Sequence, residues 1–206
     1  MVRVSRIRRK TYQHGHLPEA LAAAVIALVK EGGVRGFTLA EAARRSGVSG
    51  SAPYRHYADR DALLAAVAAH VYGVFAKRLR AAKKMHRVPL TQIAAMAAAY
   101  VTFARDDRAR FAILFESGID KSAYAALADA ADAAYLEFGA PVSALCDHNA
   151  SRTRDAAIAL RACAHGYATL LNDGTLERSG LPRKDVPRVA ARSVRKLAQA
   201  FVRAER

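Results

Sequence analysis

The chain has 206 residues, of which 52% are apolar, so one large or two small domains can bury a core. Its net charge is +15, and residues 1–60 alone hold 11 Lys or Arg against 4 Asp or Glu. A polyanion is the natural partner for that basic segment, although total charge alone leaves general solubility open as an explanation. The longest uncharged stretch, Val88–Ala104, is too short and too weakly apolar for a membrane span. Two isolated cysteines, Cys146 and Cys163, indicate a reducing cytoplasmic setting.

Apolar residues recur at steps of three and four almost throughout, which predicts an all-α fold of about nine helices. The predicted helices lie at about 17–32, 38–47, 50–57, 59 to beyond 74, 89 to beyond 100, 107–116, 124–138, 152–171 and 185–205. Pro141 is expected to kink or split the helix that contains it. Residues 177–187 are predicted to form a loop.

The segment 38–57, TLAEAARRSGVSGSAPYRHY, has the spacing of a helix-turn-helix. Thr38 and Glu41 form a capping box, and Gly47 can take the positive φ that ends a helix. Ser49 can cap the next helix, which in this motif lies in the DNA major groove. An ordinary helical hairpin shares the Ala-x-x-x-Gly spacing. The polar and aromatic residues that follow favour DNA binding, because a core helix would not present them.

Pro53 conflicts with a regular helix over residues 50–57, because proline lacks an N–H group. If Ser49 is the N-cap, the missing N–H group deletes one hydrogen bond of the helix, whereas an N-cap at Gly50 or Ser51 places Pro53 in the first turn, where that group is not needed. Proline also disfavours helical angles at Ala52. We therefore expect a late or 3₁₀-like start that presents Tyr54, Arg55 and His56 at the groove.

Residues 15–80 resemble the DNA-binding head of the TetR family of repressors. The matching features are Gly36-Phe37-Thr38, Ala43…Gly47-Val48-Ser49, Tyr54-x-His56-Tyr57 and Leu63-Leu64. The family usually has phenylalanine at the position of Tyr57, lysine at that of Arg60 and an aliphatic residue at that of Pro53. The resemblance implies an N-terminal helix-turn-helix domain, residues 1–60, joined through a long helix to a C-terminal helical domain, residues 61–206.

The resemblance also implies that Tyr54, His56 and Thr38 contact backbone phosphates, and that Arg60 can do so. Arg55 and Ser51 are expected at base edges, while Gly50 and Ala52 offer little direct readout. Basic residues before the first helix can enter the minor groove or remain disordered. The complete predicted DNA-binding set is Thr38, Ser49, Gly50, Ser51, Ala52, Tyr54, Arg55, His56, Arg60, Arg8, Arg9 and Lys10.

In the C-terminal part, the family dimerises through its last two long helices, here about 152–171 and 185–205. The apolar stripe of the last helix is assigned to that interface, with intramolecular packing as the alternative: Val186, Ala190, Val194, Leu197 and Phe201. The segment 163–176 is similar to a His-Gly-bearing helix of one branch of the family. A pocket for a small-molecule effector is expected among Phe75, Met96, Tyr100, Phe103, Phe111, Phe115, Tyr135, Phe138 and His165, although each also suits a core.

Enzyme chemistry finds little support in the sequence, and no cofactor or metal site is expected. GVSGSAP, residues 47–53, only loosely resembles a nucleophile elbow and lacks a preceding strand. The sequence and the resemblance therefore predict a dimeric, sequence-specific transcriptional regulator that binds a double-stranded, palindromic operator as a repressor and is released from it by a small-molecule ligand. A non-specific or architectural DNA binder, and a helical small-molecule-binding protein without a regulatory role, remain alternatives.

Overall fold

The computed structural model describes residues 17–203, which contain nine α-helices and two 3₁₀ turns, with no strand in that range. The predicted all-α fold is confirmed. The α-helices are α1 (Leu17–Gly32), α2 (Leu39–Ser46), α3 (Arg60–Lys84), α4 (Pro89–Asp106), α5 (Arg108–Phe115), α6 (Ala125–Leu145), α7 (Ala150–Asn172), α8 (Thr175–Arg178) and α9 (Val186–Arg203). The basic residues Arg8, Arg9 and Lys10 lie outside the described range.

Local capping fixes where α2 and α3 begin and where α2 ends. The Thr38 side chain accepts a hydrogen bond from the backbone N–H of Glu41, and that of Asp59 accepts from Ala62. Gly47 ends α2 with φ of 75°, as predicted. The capping box is only half formed, because both carboxylate oxygens of Glu41 accept from Arg44 instead.

The turn between α1 and α2 brings two backbone segments into close approach at Gly36. A Cβ atom built on Gly36 would lie 2.3 Å from the carbonyl oxygen of Gly32. No side chain larger than hydrogen fits there without moving the backbone of α1. Gly36 therefore sets the direction in which the chain enters α2.

The segment predicted as a helix over residues 50–57 is instead a single 3₁₀ turn, Pro53–Arg55. Pro53 is its first residue, as expected from the missing N–H group, and its carbonyl oxygen accepts from the N–H groups of His56 and Tyr57. Ser49 does not cap this turn, because the capping position is Ala52, which makes no side-chain capping bond. We call Pro53–Arg55 with His56 the recognition turn.

The long helix α3 joins the head, formed by α1, α2 and the recognition turn, to the body formed by α4–α9. By length and composition α3 could cross a membrane, but more than half of its apolar window is buried inside the protein. The head and body residues buried along it form one continuous hydrophobic cluster. Near its end, Arg80 and Lys83 hold the buried carboxylate of Glu137 on α6, at 2.6 and 2.5 Å.

Helix α4 lies at the centre of the body, where it packs against α3, α6, α7 and α9. Its side chains Met96, Tyr100 and Phe103 are buried. Helix α6 runs past Pro141 to Leu145, so the proline does not split it. The short helix α8 occupies the start of the segment that was predicted as a loop.

The apolar stripe of α9 packs inside the same chain, against α4. Val186, Ala190 and Val194 each have 0% of their surface exposed, and Leu197 and Phe201 are partly buried against the core. A side chain without exposed surface cannot contact a second subunit. The assignment of Val186, Ala190 and Val194 to a dimer interface is therefore wrong, and the alternative of intramolecular packing is correct for them.

Candidate DNA-binding surface and effector cleft

The recognition turn has exposed polar side chains next to the buried Pro53. Pro53 is buried, whereas Tyr54, Arg55 and His56 are exposed, with 59% of Tyr54 accessible. The exposed ring and hydroxyl of Tyr54 are therefore accessible to a partner. Ser49, Gly50 and Ser51 continue the exposed surface, and Ala52 is partly buried. The structure thus brings together the predicted residues of segment 49–56.

Thr38 is exposed at the first turn of α2. Its hydroxyl oxygen accepts from the Glu41 N–H at 3.2 Å, so its own hydrogen can still be donated. The amino end of α2 also offers unpaired backbone N–H groups, which suit an anion such as a phosphate.

Two arginines of the described head, Arg44 and Arg45, are paired, whereas Arg55 is not. Arg45 forms two hydrogen bonds with Glu31 on α1, at 2.7 and 2.5 Å, and Arg44 binds Glu41 on its own helix. Within residues 17–203, the side chain of Arg55 has no hydrogen-bond or ion-pair partner. Its guanidinium therefore remains available for a base edge or a phosphate.

The aromatic residues predicted to form the effector pocket divide into two groups. Tyr100, Phe115, Tyr135 and His165 line an open cleft of about 260 Å³ between α4, α5, α6 and α7, together with Arg161 of α7. Phe75 and Phe111 do not line the cleft but contact its walls, at 5.0 Å from the Tyr100 ring and 4.8 Å from the Phe115 ring. Met96, Phe103 and Phe138 do not line the cleft and are buried in the core, which corrects their assignment.

Polar contacts hold the walls of this cleft. The Tyr100 hydroxyl lies 2.9 Å from Nδ1 of His165, and the hydroxyls of Tyr72 and Tyr135 are 3.3 Å apart. Burial lowers the pKa of His165, and the positive charge of Arg161 lowers it further against the opposite effect of Glu116. Burial also raises the pKa of Tyr100 far above its ordinary value. At neutral pH His165 and Tyr100 are therefore uncharged hydrogen-bonding partners.

Two family models match the sequence. The model described as "Bacterial regulatory proteins, tetR family" matches residues 21–67, and the "Tetracyclin repressor-like, C-terminal domain" model matches residues 93–202, more than half of the chain. The chain belongs to the TetR family. It is a transcriptional regulator with a helix-turn-helix DNA-binding domain, and not an enzyme.

Solved structures show the same TetR fold. A protein with unknown function from Rhodococcus sp. RHA1 superposes with a TM-score of 0.75 at 29% identity, over 91% of this chain and 98% of that one. The regulator FadR from Bacillus subtilis, in complex with stearoyl-CoA, gives 0.68 at 10% identity over 91% and 99%. A TetR variant from Acinetobacter baumannii AYE, in complex with minocycline, gives 0.64 at 18% over 95% and 99%. No curated protein matches the sequence significantly.

Arg60, which replaces the usual lysine of the TetR family, makes internal contacts in the head. Its guanidinium donates to the carbonyl oxygens of Val34 and Phe37, pairs with Asp61 at 2.6 Å and lies over the Phe37 ring. These contacts use three of its five N–H donors, and the side chain is 30% exposed, so the phosphate contact of Arg60 stays a prediction. The residue positions the turn that precedes Thr38.

Two residues of this TetR-family chain were missed by the sequence analysis. Arg35 is exposed between α1 and α2, and within the described range it has no ion-pair partner. Arg161 lies one helical turn before His165, and that spacing could have indicated that both face the same cleft. Within residues 17–203, no three His, Cys, Asp or Glu side chains are grouped so as to hold a metal ion.

Proposed function

We propose that this TetR-family regulator is a homodimeric cytoplasmic repressor that binds a palindromic operator and releases it when a small molecule occupies the cleft. The observation that carries the DNA-binding part is the recognition turn, where Tyr54, Arg55 and His56 are exposed on the buried Pro53. An unpaired arginine beside a tyrosine and a histidine supplies both a base-reading group and phosphate donors.

Helix α5 offers a route from the cleft to the head. Phe115 lines the cleft, while Ala109 and Ala112, six and three residues earlier on the same short helix, border α1 beside Val29. A ligand that moves Phe115 would therefore move the surface on which α1 rests. In this proposal the ligand favours a conformation in which the two recognition turns of a dimer no longer match successive grooves.

The dimer interface is proposed for the outward faces of α7 and α9, because the inward stripe of α9 is occupied. Leu170 on α7 and Val202 on α9 are apolar and 39% and 41% exposed. Two copies of the head are needed because one recognition turn contacts only one half-site.

Selection of bound sequences from a random DNA pool, with the full-length protein, tests this function. A palindromic consensus with two half-sites would support a sequence-specific dimer. Enrichment without a consensus, together with a steep dependence of affinity on salt, would instead identify a non-specific DNA binder. A complete lack of DNA retention at low salt would overturn DNA binding altogether.

A further inference from the structure

Arg161 is a partly buried cation for which the described residues provide no anion. It lies in the wall of the cleft, with its guanidinium carbon 4.3 Å from the centre of the Tyr135 ring. No carboxylate, hydroxyl or carbonyl group of residues 17–203 accepts a hydrogen bond from its side chain. Contact with the face of a ring leaves the edge of a guanidinium, with its N–H groups, available.

The charges around the cleft favour an anionic occupant. Arg161 is the only charged side chain among the described residues that line it, and the lining contains neither Asp nor Glu. The exposed Glu116, which lies outside the lining, acts on His165 from the end of α5. A partly desolvated guanidinium without a counterion is normally matched by an anion, because burial of an unpaired charge costs free energy.

The walls of the cleft favour a flat apolar group. The rings of Tyr100 and Phe115 lie 5.9 Å apart at an angle of 24°, and the His165 ring closes one side at 5.0 Å from Phe115. Ile158 is 52% exposed at the same cleft, so an apolar ligand could cover it. A volume of about 260 Å³ lies below the usual range for drug-sized ligands, which indicates one or two rings.

We propose that the effector is a small aromatic carboxylate, whose carboxylate pairs with Arg161 while its ring packs against Tyr135, Tyr100 and Phe115. This inference rests on the proposed function only in giving the ligand a regulatory role. An arginine fork and a carboxylate form two parallel hydrogen bonds, which fixes the orientation of the ring in the cleft.

The test is isothermal titration calorimetry on the full-length chain without DNA. The probes are 1-naphthoate, its neutral analogue 1-naphthamide and the aliphatic carboxylate octanoate. The variants are Arg161→Gln and the control Arg188→Gln, which removes the same charge from a side chain that is 70% exposed and outside the cleft. We expect wild type to prefer naphthoate over naphthamide by about 10- to 100-fold.

The proposal is supported if Arg161→Gln loses the preference for naphthoate while Arg188→Gln keeps it. Arg161→Gln should still bind naphthamide, which also shows that this variant folds. Equal binding of acid and amide by wild type would overturn the role of Arg161. Tighter binding of octanoate than of naphthoate, or no binding of any probe, would overturn the aromatic class. Because no DNA is present, a failure to find an operator leaves these outcomes unaffected, and naphthoate that binds without releasing an operator would contradict only the regulatory role.

Discussion

Nε of Arg60 lies 3.2 Å from the carbonyl oxygen of Phe37, and the same guanidinium lies over the Phe37 ring with its carbon 4.7 Å from the ring centre. The first residue of α3 thereby holds the turn between α1 and α2, which carries Thr38. The side chain is 30% exposed, so these contacts are partly shielded from water. Arg60 therefore connects the orientation of the DNA-binding head to the helix that enters the body.

We predict that Arg60→Ala lowers the free energy of unfolding by about 1–3 kcal/mol, because the carbonyl groups of Val34 and Phe37 lose a charged donor. Chemical denaturation measures this, and Arg35→Ala in the same turn is the control, with no change expected. An unaltered denaturation midpoint, combined with a salt dependence of DNA binding reduced by about one phosphate contact, would show that Arg60 binds DNA instead.

Arg55→Ala is expected to weaken operator binding by about 1–3 kcal/mol and to relax the preference at one base pair of each half-site. The reason is that its guanidinium has no partner within the described residues and can therefore read a base edge. Competition binding with single-base operator variants measures the effect. Arg154→Ala, which removes a 71% exposed arginine from the body, is the control. Uniform weakening on all sequences would show that Arg55 contacts phosphate.

The ion pairs of Glu137 with Arg80 and Lys83 make the free energy of unfolding depend on pH in the acidic range. Burial alone would raise the pKa of Glu137, but hydrogen bonds and charges from Lys83 and Arg80 outweigh it, so the pKa lies below the ordinary value of 4.5. A lowered carboxyl pKa stabilises the folded state above about pH 4.5, and this contribution is lost as the pH falls through the folded value.

Glu137→Gln should therefore be less stable than wild type by about 1–3 kcal/mol at pH 7, and the difference should shrink below pH 4.5. Urea denaturation at a series of pH values measures both effects. A difference that is constant from pH 7 to pH 3 would mean that packing, rather than charge, is responsible. The control is Asp129→Asn, an acidic residue of the same helix outside this cluster.

The two sides of the α7–α9 pair should respond differently to substitution. Val194→Ala shortens a fully buried side chain by two carbon atoms and should lower the free energy of unfolding by about 2 kcal/mol without shifting the oligomeric state. Leu170→Lys, on the outward face of α7, should shift the protein toward monomers while the monomer stays folded. Sedimentation velocity and thermal unfolding separate the two effects. A stable monomer from Val194→Ala would contradict the internal position of that stripe.

Much of the fold could be predicted because local signals and packing agree. Thr38 and Gly47 cap α2 as predicted, and Pro53 begins a 3₁₀ turn as its missing N–H group requires. The sequence predicts that the apolar stripe of α9 contacts a second subunit, whereas its buried residues pack against α4 of the same chain. Helical spacing shows that Val194 is buried, but it cannot show whether its neighbour belongs to the same chain or to another.

The sites were predicted less completely, because charged residues have several possible partners. Arg55 and Arg60 are both arginines close to the motif, yet only the fold shows that Arg60 is occupied by the carbonyl groups of Val34 and Phe37. Similarly, an arginine in a helix normally lies on a solvated face, and the sequence alone would place Arg161 there. Its position in an aromatic cleft follows from the packing of α4, α5 and α6 around it.

The brevity of the recognition turn has a consequence for how such a protein finds its target in a genome. The three neighbouring side chains of the recognition turn can contact only a few base pairs, fewer than a long recognition helix in the groove. The information in one half-site is then small, and chance matches are common. In the proposed dimer, discrimination among chromosomal sites would come mainly from the distance and symmetry that relate the two copies, and the rigidity of the body would be as important as the chemistry of Arg55.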